Sequence, residues 1–276
     1  MSHNGPVTSS EGPEPGGDDQ VAGTAETTPA PQPRKRRPPS ILTITGLLLI
    51  AIGLSSLGWM GYQYFGTNGP AQEAAKSEVS QLQDQWNNGD GIDVPGPAAT
   101  PSAGATATST ASATSTASAT QGPKYSQAQL DKAMAILTIP SFGANYKVPI
   151  LVGTSDYALG RGVGWYEKTQ LPGQIGNFAI AGHRITHGEP FARLLELKPG
   201  DKVIVETKSY IFTYVIDESP SQLTVKDVDT WVLDPVPGKT GIKPTQALIT
   251  LTTCQDLFHS PDRAVGFGHL VGTKKK

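Results

Sequence analysis

Two hydrophobic patterns divide the chain. From Ile41 to Phe65 apolar residues follow one another through Leu47-Leu48-Leu49-Ile50, and no charged residue stands between Arg37 and Glu73. At about 1.5 Å rise per residue, such a helix covers the roughly 30 Å hydrocarbon core of a bilayer, so the pattern predicts a membrane-spanning anchor. Beyond about residue 125 the apolar positions alternate instead. β-Branched and aromatic residues between turn residues mark eight candidate strands, near Ala135–Ile139, Val148–Val152, Asn177–Ala181, Lys202–Thr207, Tyr210–Ile216, Thr230–Leu233, Ala247–Thr253 and Ala264–Val271. Helical signals are few. Ser126 and Gln129 stand at capping-box spacing and predict a short helix over Ser126 to Met134, while Pro190 opens and Pro199-Gly200-Asp201 closes another over Pro190 to Leu197. Many short strands with few helices predict an all-β sandwich or closed barrel.

The segments before the strands differ in composition. Residues 1–33 carry five acids and no Lys or Arg within a Pro/Gly/Ser/Thr-rich tract, which lacks the apolar surface to offset chain entropy and is expected to be disordered. Arg34-Lys35-Arg36-Arg37 follows and favours the cytoplasmic side, while Trp59, Tyr62, Tyr64 and Phe65 gather at the far end of the apolar run, where aromatic rings suit an interface. The N-terminus is therefore expected inside and everything after about residue 66 outside. The apolar run is longer than that of a signal peptide, and Gly69-Pro70-Ala71 is a poor cleavage site, so the helix is expected to be retained. Ala71 to Trp86, with Val79, Leu82 and Trp86 on one stripe, is read as a helix or a loosely ordered stalk. Asn87 to Gln121 turns to Gly/Pro and then to Ala/Ser/Thr repeats, a flexible tether with a typical reach of about 30 Å. The expected organisation is a cytoplasmic tail over 1–37, an anchor helix over 38–65, a stalk and linker over 66–122 and a folded domain over 123–276. Lys274-Lys275-Lys276 is expected to be a solvated tail.

The formal net charge of -2 and a pI near 6.2 give no basic face for nucleic acid. Candidate chemistry centres on the single cysteine. Cys254 ends the strand Thr250-Leu251-Thr252-Thr253-Cys254 and has no partner for an intrachain disulfide. Arg263 opens the next predicted strand, so an antiparallel pairing brings both to one end of the sheet. His183 stands upstream in Ala181-Gly182-His183-Arg184. A thiol, an imidazole and a guanidinium supply the nucleophile, proton carrier and oxyanion donor of acyl transfer, and Thr253 adds a donor beside the nucleophile. Other readings of the same residues stand open: an inert buried thiol, His187, His259 or His269 in place of His183, and a surface Arg263 paired with Asp262 or Asp256. Zinc held by His183, His187, Cys254 and His259 is disfavoured because no helix aligns the two imidazoles. No cofactor is expected, since no phosphate-cradling Gly loop, Gly-x-Ser-x-Gly or Cys-x-x-Cys occurs.

These residues resemble the sortases, membrane-anchored cysteine transpeptidases of bacterial surfaces. Thr250-Leu251-Thr252-Thr253-Cys254 resembles the family's Thr-Leu-x-Thr-Cys signature, Arg263 its following arginine and His183 its histidine. Gly162-Val163-Gly164-Trp165-Tyr166, Leu171-Pro172-Gly173-Gln174 and His183-Arg184-Ile185-Thr186-His187-Gly188-Glu189-Pro190-Phe191 are similar to blocks of the actinobacterial class E branch. The resemblance implies a closed eight-stranded β-barrel and cleavage between Thr and Gly of a C-terminal Leu-Ala-x-Thr-Gly sorting signal. Cys254, His183 and Arg263 are then catalytic, Tyr166 and Thr253 substrate-binding, and the site contains no metal. Implied partners are surface proteins bearing the signal, a peptidoglycan amine and the membrane that holds the anchor, with the enzyme a monomer. Two features depart from the pattern: Trp165 stands where class E often has His, and Gly266 and Gly268 loosen a strand that is usually more apolar. An L,D-transpeptidase, which also uses Cys and His but in a Ser-x-Gly-Cys context, and a non-catalytic wall-binding domain are the alternatives.

Overall fold

The computed structural model describes residues 39–97, 125–256 and 260–276. The expected disordered tail, most of the Ala/Ser/Thr tether and His259 lie outside the described residues. Helix α1 (Ile41–Gly61) is uniformly apolar and, among the described residues, is the one helix long and apolar enough to cross a membrane. Its 21 residues reach about 31 Å. A π-helical turn, Tyr62–Gly66, follows where the run was expected to end.

Helix α2 (Asn68–Asn87) uses the stripe seen in the sequence: Val79 and Leu82 are buried against Ala133, Ile136 and Leu151, with Trp86 beside them. Arg161 reaches back to Glu78 at 2.9 Å. Of the two readings of Ala71 to Trp86, the helix is the one found, laid on the folded domain. The reason is that Ile136 and Leu151 point away from the core and give the stripe an apolar surface to cover. Burying a leucine such as Leu82 contributes about 2 kcal/mol.

Nine strands follow: β1 (Ala133–Thr138), β2 (Val148–Val152), β3 (Val163–Trp165), β4 (Gly176–Gly182), β5 (Lys202–Glu206), β6 (Tyr210–Glu218), β7 (Thr224–Lys226), β8 (Ala247–Cys254) and β9 (Asp262–Lys275). A single turn, α3 (Asp156–Leu159), is capped by Ser155, whose hydroxyl accepts from the Ala158 N–H at 3.1 Å. The strands run in the order β6-β5-β1-β2-β3-β4-β8-β9, and β6 also pairs with β9, which closes an eight-stranded barrel; β7 adds a short rung beside the start of β9. Phe178, Ile180, Ile249 and Leu251 fill the interior together with Trp165, Phe212 and Tyr214. Closure leaves no open edge on these eight strands.

Several local expectations differ from the structure. Thr230–Leu233 is a 3₁₀ turn, not a strand. Its β-favouring residues satisfy their preference for a half-buried surface by lying on the outer face of the sheet, where Val232 packs with Val225 and Val265. β3 and β7, three residues each, are too short for alternation to register. Over Ser126 to Met134 the capping box is present, but only Gln127–Gln129 is helical because β1 begins at Ala133. Pro190 to Leu197 likewise keeps only the 3₁₀ turn Leu194–Glu196. Lys274 and Lys275 belong to β9, and Lys276 pairs with Glu206 at 2.8 Å, so this end is a strand and not a free tail. The two unusual glycines have a steric cause: a Cβ on Gly268 would stand 2.4 Å from the Val215 carbonyl oxygen, and one on Gly266 2.5 Å from Pro220.

Candidate active site

The site is built on the outer face of β4, β8 and β9. Ile249 and Leu251 face the core, so the alternation turns Thr250, Thr252 and Cys254 outward. Phe178 and Ile180 do the same for Asn177, Ala179 and Ala181 on β4, which runs parallel to β8 with Ala181 beside Thr252. β4 and β8 end at Gly182 and Cys254, so His183, the first residue after β4, leaves the sheet at the end where Cys254 closes β8. On the other side of β8, Cys254 stands directly opposite Arg263 in the antiparallel pair. The ends of β4 and β8 and the start of β9 thus bring His183, Cys254 and Arg263 to one end of the sheet.

The signature threonines have separate tasks. The Thr253 hydroxyl donates to the Gly182 carbonyl at 2.8 Å, tying the end of β8 to the residue before His183. The Thr250 hydroxyl donates to Asn177 Oδ1 at 2.8 Å and lies 3.2 Å from the Val232 carbonyl, which also accepts from Asn177 Nδ2 at 3.0 Å. Through this buried triangle the 3₁₀ turn of the β7–β8 connection is pinned to the sheet. Such a network holds one geometry because leaving any member unpaired costs about 1–3 kcal/mol. In the sequence Thr250 stands out only as part of a motif, and nothing local points to Asn177.

Cys254 is a free cysteine and is half-buried. His183 is also half-buried, and its ring stacks on that of His187 with centroids 4.7 Å apart. Burial, reinforced by His187 and opposed by Asp156, lowers the His183 pKa to about 4, so the imidazole is neutral at pH 7. His187, which the sequence leaves open as a rival or a zinc ligand, is therefore a neighbour of His183. Among the described residues no group of three His, Cys, Asp or Glu side chains is placed to hold a metal ion. His269 lies elsewhere, paired with Asp217 at 2.9 Å.

Arg263 is held from behind. Its Nη1 donates to the carbonyls of Ser260 at 2.7 Å and Asp262 at 3.1 Å, and its Nη2 lies 3.7 Å from Asp227. Of the two carboxylates that the surface reading offers, Asp262 is engaged by Lys226, and the carboxylate beside Arg263 is that of Asp227. Five guanidinium N–H groups leave donors beyond those two bonds. Arg184, next to His183, donates to the Gln255 carbonyl and ties the two strand ends once more.

Tyr166 follows β3 and hydrogen-bonds through its backbone N–H to the Ala179 carbonyl at 3.0 Å. Burial pushes its phenol upward, while Arg263 and a hydrogen bond with Thr252 pull the other way and Cys254 adds to the rise, which sets Tyr166 within electrostatic reach of both rim residues. It also lines a cavity of about 710 Å³ with Thr169, Asn177, Thr230, Leu233 and Asp234. Trp165, in contrast, is fully buried in the barrel and donates from its indole to the Gln170 carbonyl at 3.0 Å. Its departure from the class E pattern changes the core, not the rim.

A sortase-domain family model matches residues 137–271. Sortase SrtE1 of Streptomyces coelicolor is 34% identical over 257 residues, covering 87% of this chain and 61% of the relative, so the chain spans about three fifths of that protein's length. A solved sortase E of Streptomyces avermitilis is 38% identical over 53% of this chain and 92% of its own, with a TM-score of 0.48. The SrtA sortase of Actinomyces oris is 31% identical over 56% and 88% respectively, with a TM-score of 0.50. With the family model over the barrel and a 31% identical relative covered to 88% of its length, the chain belongs to the sortase family and is similar to class E members.

Proposed function

We propose that the chain is a membrane-anchored cysteine transpeptidase that cleaves a Leu-Ala-x-Thr-Gly sorting signal between Thr and Gly and joins the new carboxyl end to a cell-wall amine. The observation that supports this reading is that the end of β4, which leads to His183, the end of β8 at Cys254 and the start of β9 at Arg263 lie at one end of the sheet. Neutral His183 takes the thiol proton as the sulfur attacks the Thr carbonyl carbon. Arg263 donors stabilise the oxyanion that develops on the carbonyl oxygen. Collapse breaks the Thr–Gly C–N bond, and the proton held on His183 passes to the departing glycine nitrogen, leaving a thioester on Cys254. An incoming amine attacks that thioester and expels the thiolate, which recovers a proton by way of His183. Water in place of the amine gives hydrolysis as a side reaction.

Tyr166 and the floor of small residues between β4 and β8 receive the signal peptide, with Thr253 acting mainly by fixing the strand ends. The arrangement of Arg34–Arg37 before α1 supports a single-pass topology with the barrel outside the cell, where proteins bearing the signal and peptidoglycan amines are available. Incubating the detergent-solubilised chain with a Leu-Ala-x-Thr-Gly peptide and an amine releases the fragment beginning at Gly. Equal release by Cys254→Ala rejects the nucleophile assignment.

A further inference from the structure

The start of α2 grips the loop that follows His183. Thr67 Oγ1 accepts from the His187 N–H at 3.3 Å, Asn68 Oδ1 accepts from the Gly188 N–H at 3.0 Å, and Asn68 Nδ2 donates to the Ile185 carbonyl at 3.1 Å and to the Glu189 carboxylate. Gln72 adds a bond to the Gly188 carbonyl at 3.4 Å.

The gripped backbone is unusual. His187, Gly188 and Glu189 have φ of 54°, 84° and 53°, so three successive residues are left-handed and two of them carry side chains. Each such non-glycine residue costs about 1 kcal/mol or more and persists only where its surroundings over-determine it. The helix supplies that constraint: a Cβ on Gly188 would lie 3.3 Å from the Gln72 nitrogen and 3.4 Å from the Ala71 carbonyl carbon. The same loop delivers the His187 ring onto His183 at a 26° interplanar angle.

We infer that Thr67 and Asn68 are positioning residues, through which the helix next to the membrane anchor holds the 185–189 loop and so fixes the orientation and surroundings of His183. The inference rests on the reading of His183 as the proton carrier. Beside that imidazole stand the His187 ring and Asp156 at the start of α3, with Arg184 and Glu189 on the same loop and Cys254 and Arg263 at the neighbouring strand ends. Loss of the grip lets His187 swing away and water enter, and both changes favour the protonated ring. A barrel severed from α2 would lack this control.

The test uses the full chain in detergent micelles, with Asn68→Ala as the variant and Thr67→Ser as the conservative control that keeps its acceptor. Three quantities are read: the titration midpoint of the His183 ring by nuclear magnetic resonance, kcat and KM for thioester formation on a Leu-Ala-x-Thr-Gly peptide, and the melting temperature. In Asn68→Ala the His183 midpoint rises by about one pH unit, and kcat falls about tenfold with KM within about twofold. Thr67→Ser matches the unsubstituted chain. An unchanged midpoint overturns the inference, whether or not turnover falls. A shifted midpoint in a protein whose unsubstituted form makes no thioester upholds the grip and instead rejects the catalytic reading. Should Asn68→Ala not fold, Thr67→Val removes one acceptor and takes its place: a raised midpoint supports the grip, and an unchanged one overturns it.

Discussion

Cys254 and Arg263 face each other across one rung of the β8–β9 pair, and the guanidinium is braced by the Ser260 and Asp262 carbonyls. On the proposed mechanism, a side chain braced in this way presents fixed donors to the developing oxyanion. Arg263→Lys keeps the charge but loses the planar fork. Its thioester-forming kcat is expected to fall by about 10²–10³, the usual cost of an oxyanion donor, with the barrel intact by circular dichroism. Turnover near that of the unsubstituted chain would make Arg263 a surface residue.

On the proposed mechanism, the low His183 pKa sets the acid side of the activity profile. A neutral base is needed to accept the thiol proton, so thioester formation declines only as pH falls toward about 4, not around 6.5. Removing His187 takes away a neighbour that lowers this pKa. His187→Ala is therefore expected to move the acid limb upward, and a limb at the same pH in both proteins would show that the stacked ring has no electrostatic role.

The same shift links to stability. His183 binds its proton less readily when folded, so between about pH 6.5 and 4 the unfolded chain takes up more protons and stability falls as pH falls. The loss levels off below pH 4 and amounts to at most about 3 kcal/mol, less where water screens the half-buried ring. Denaturation of His183→Gln, compared with the parent at pH 4 and pH 7, isolates the contribution; an identical pH dependence in the two proteins contradicts it.

Pinning of the β7–β8 connection should appear in binding. Thr250→Val removes the hydroxyl that joins Asn177 and Val232 and leaves the buried Asn177 Oδ1 unpaired, a cost of about 1–3 kcal/mol in stability. The peptide KM should rise more than kcat falls, because the wall of the groove loosens while the rim residues remain. A fall confined to kcat would assign Thr250 to the chemistry instead.

How much of this was legible in the sequence follows from the range of each interaction. Seven of the eight predicted strands match named strands because alternation is a local property. The Cys254–Arg263 pairing was also readable, since a short connection between two strands implies an antiparallel pair. Trp231, Val232 and Leu233 misled because β-favouring residues suit any half-buried surface. The Asn177–Thr250–Val232 triangle, the Asp227 partner of Arg263 and the grip of Thr67 and Asn68 on His187 and Gly188 were hidden. Each joins residues from separate elements and leaves no periodic or motif signal.

The most direct test is intact-mass spectrometry of the full chain after brief exposure to a Leu-Ala-x-Thr-Gly peptide without added amine. The account predicts a hydroxylamine-labile acyl adduct, carrying the peptide up to Thr, on Cys254 and none on Cys254→Ala. No adduct on the unsubstituted protein, or an equal adduct on the alanine variant, would contradict it.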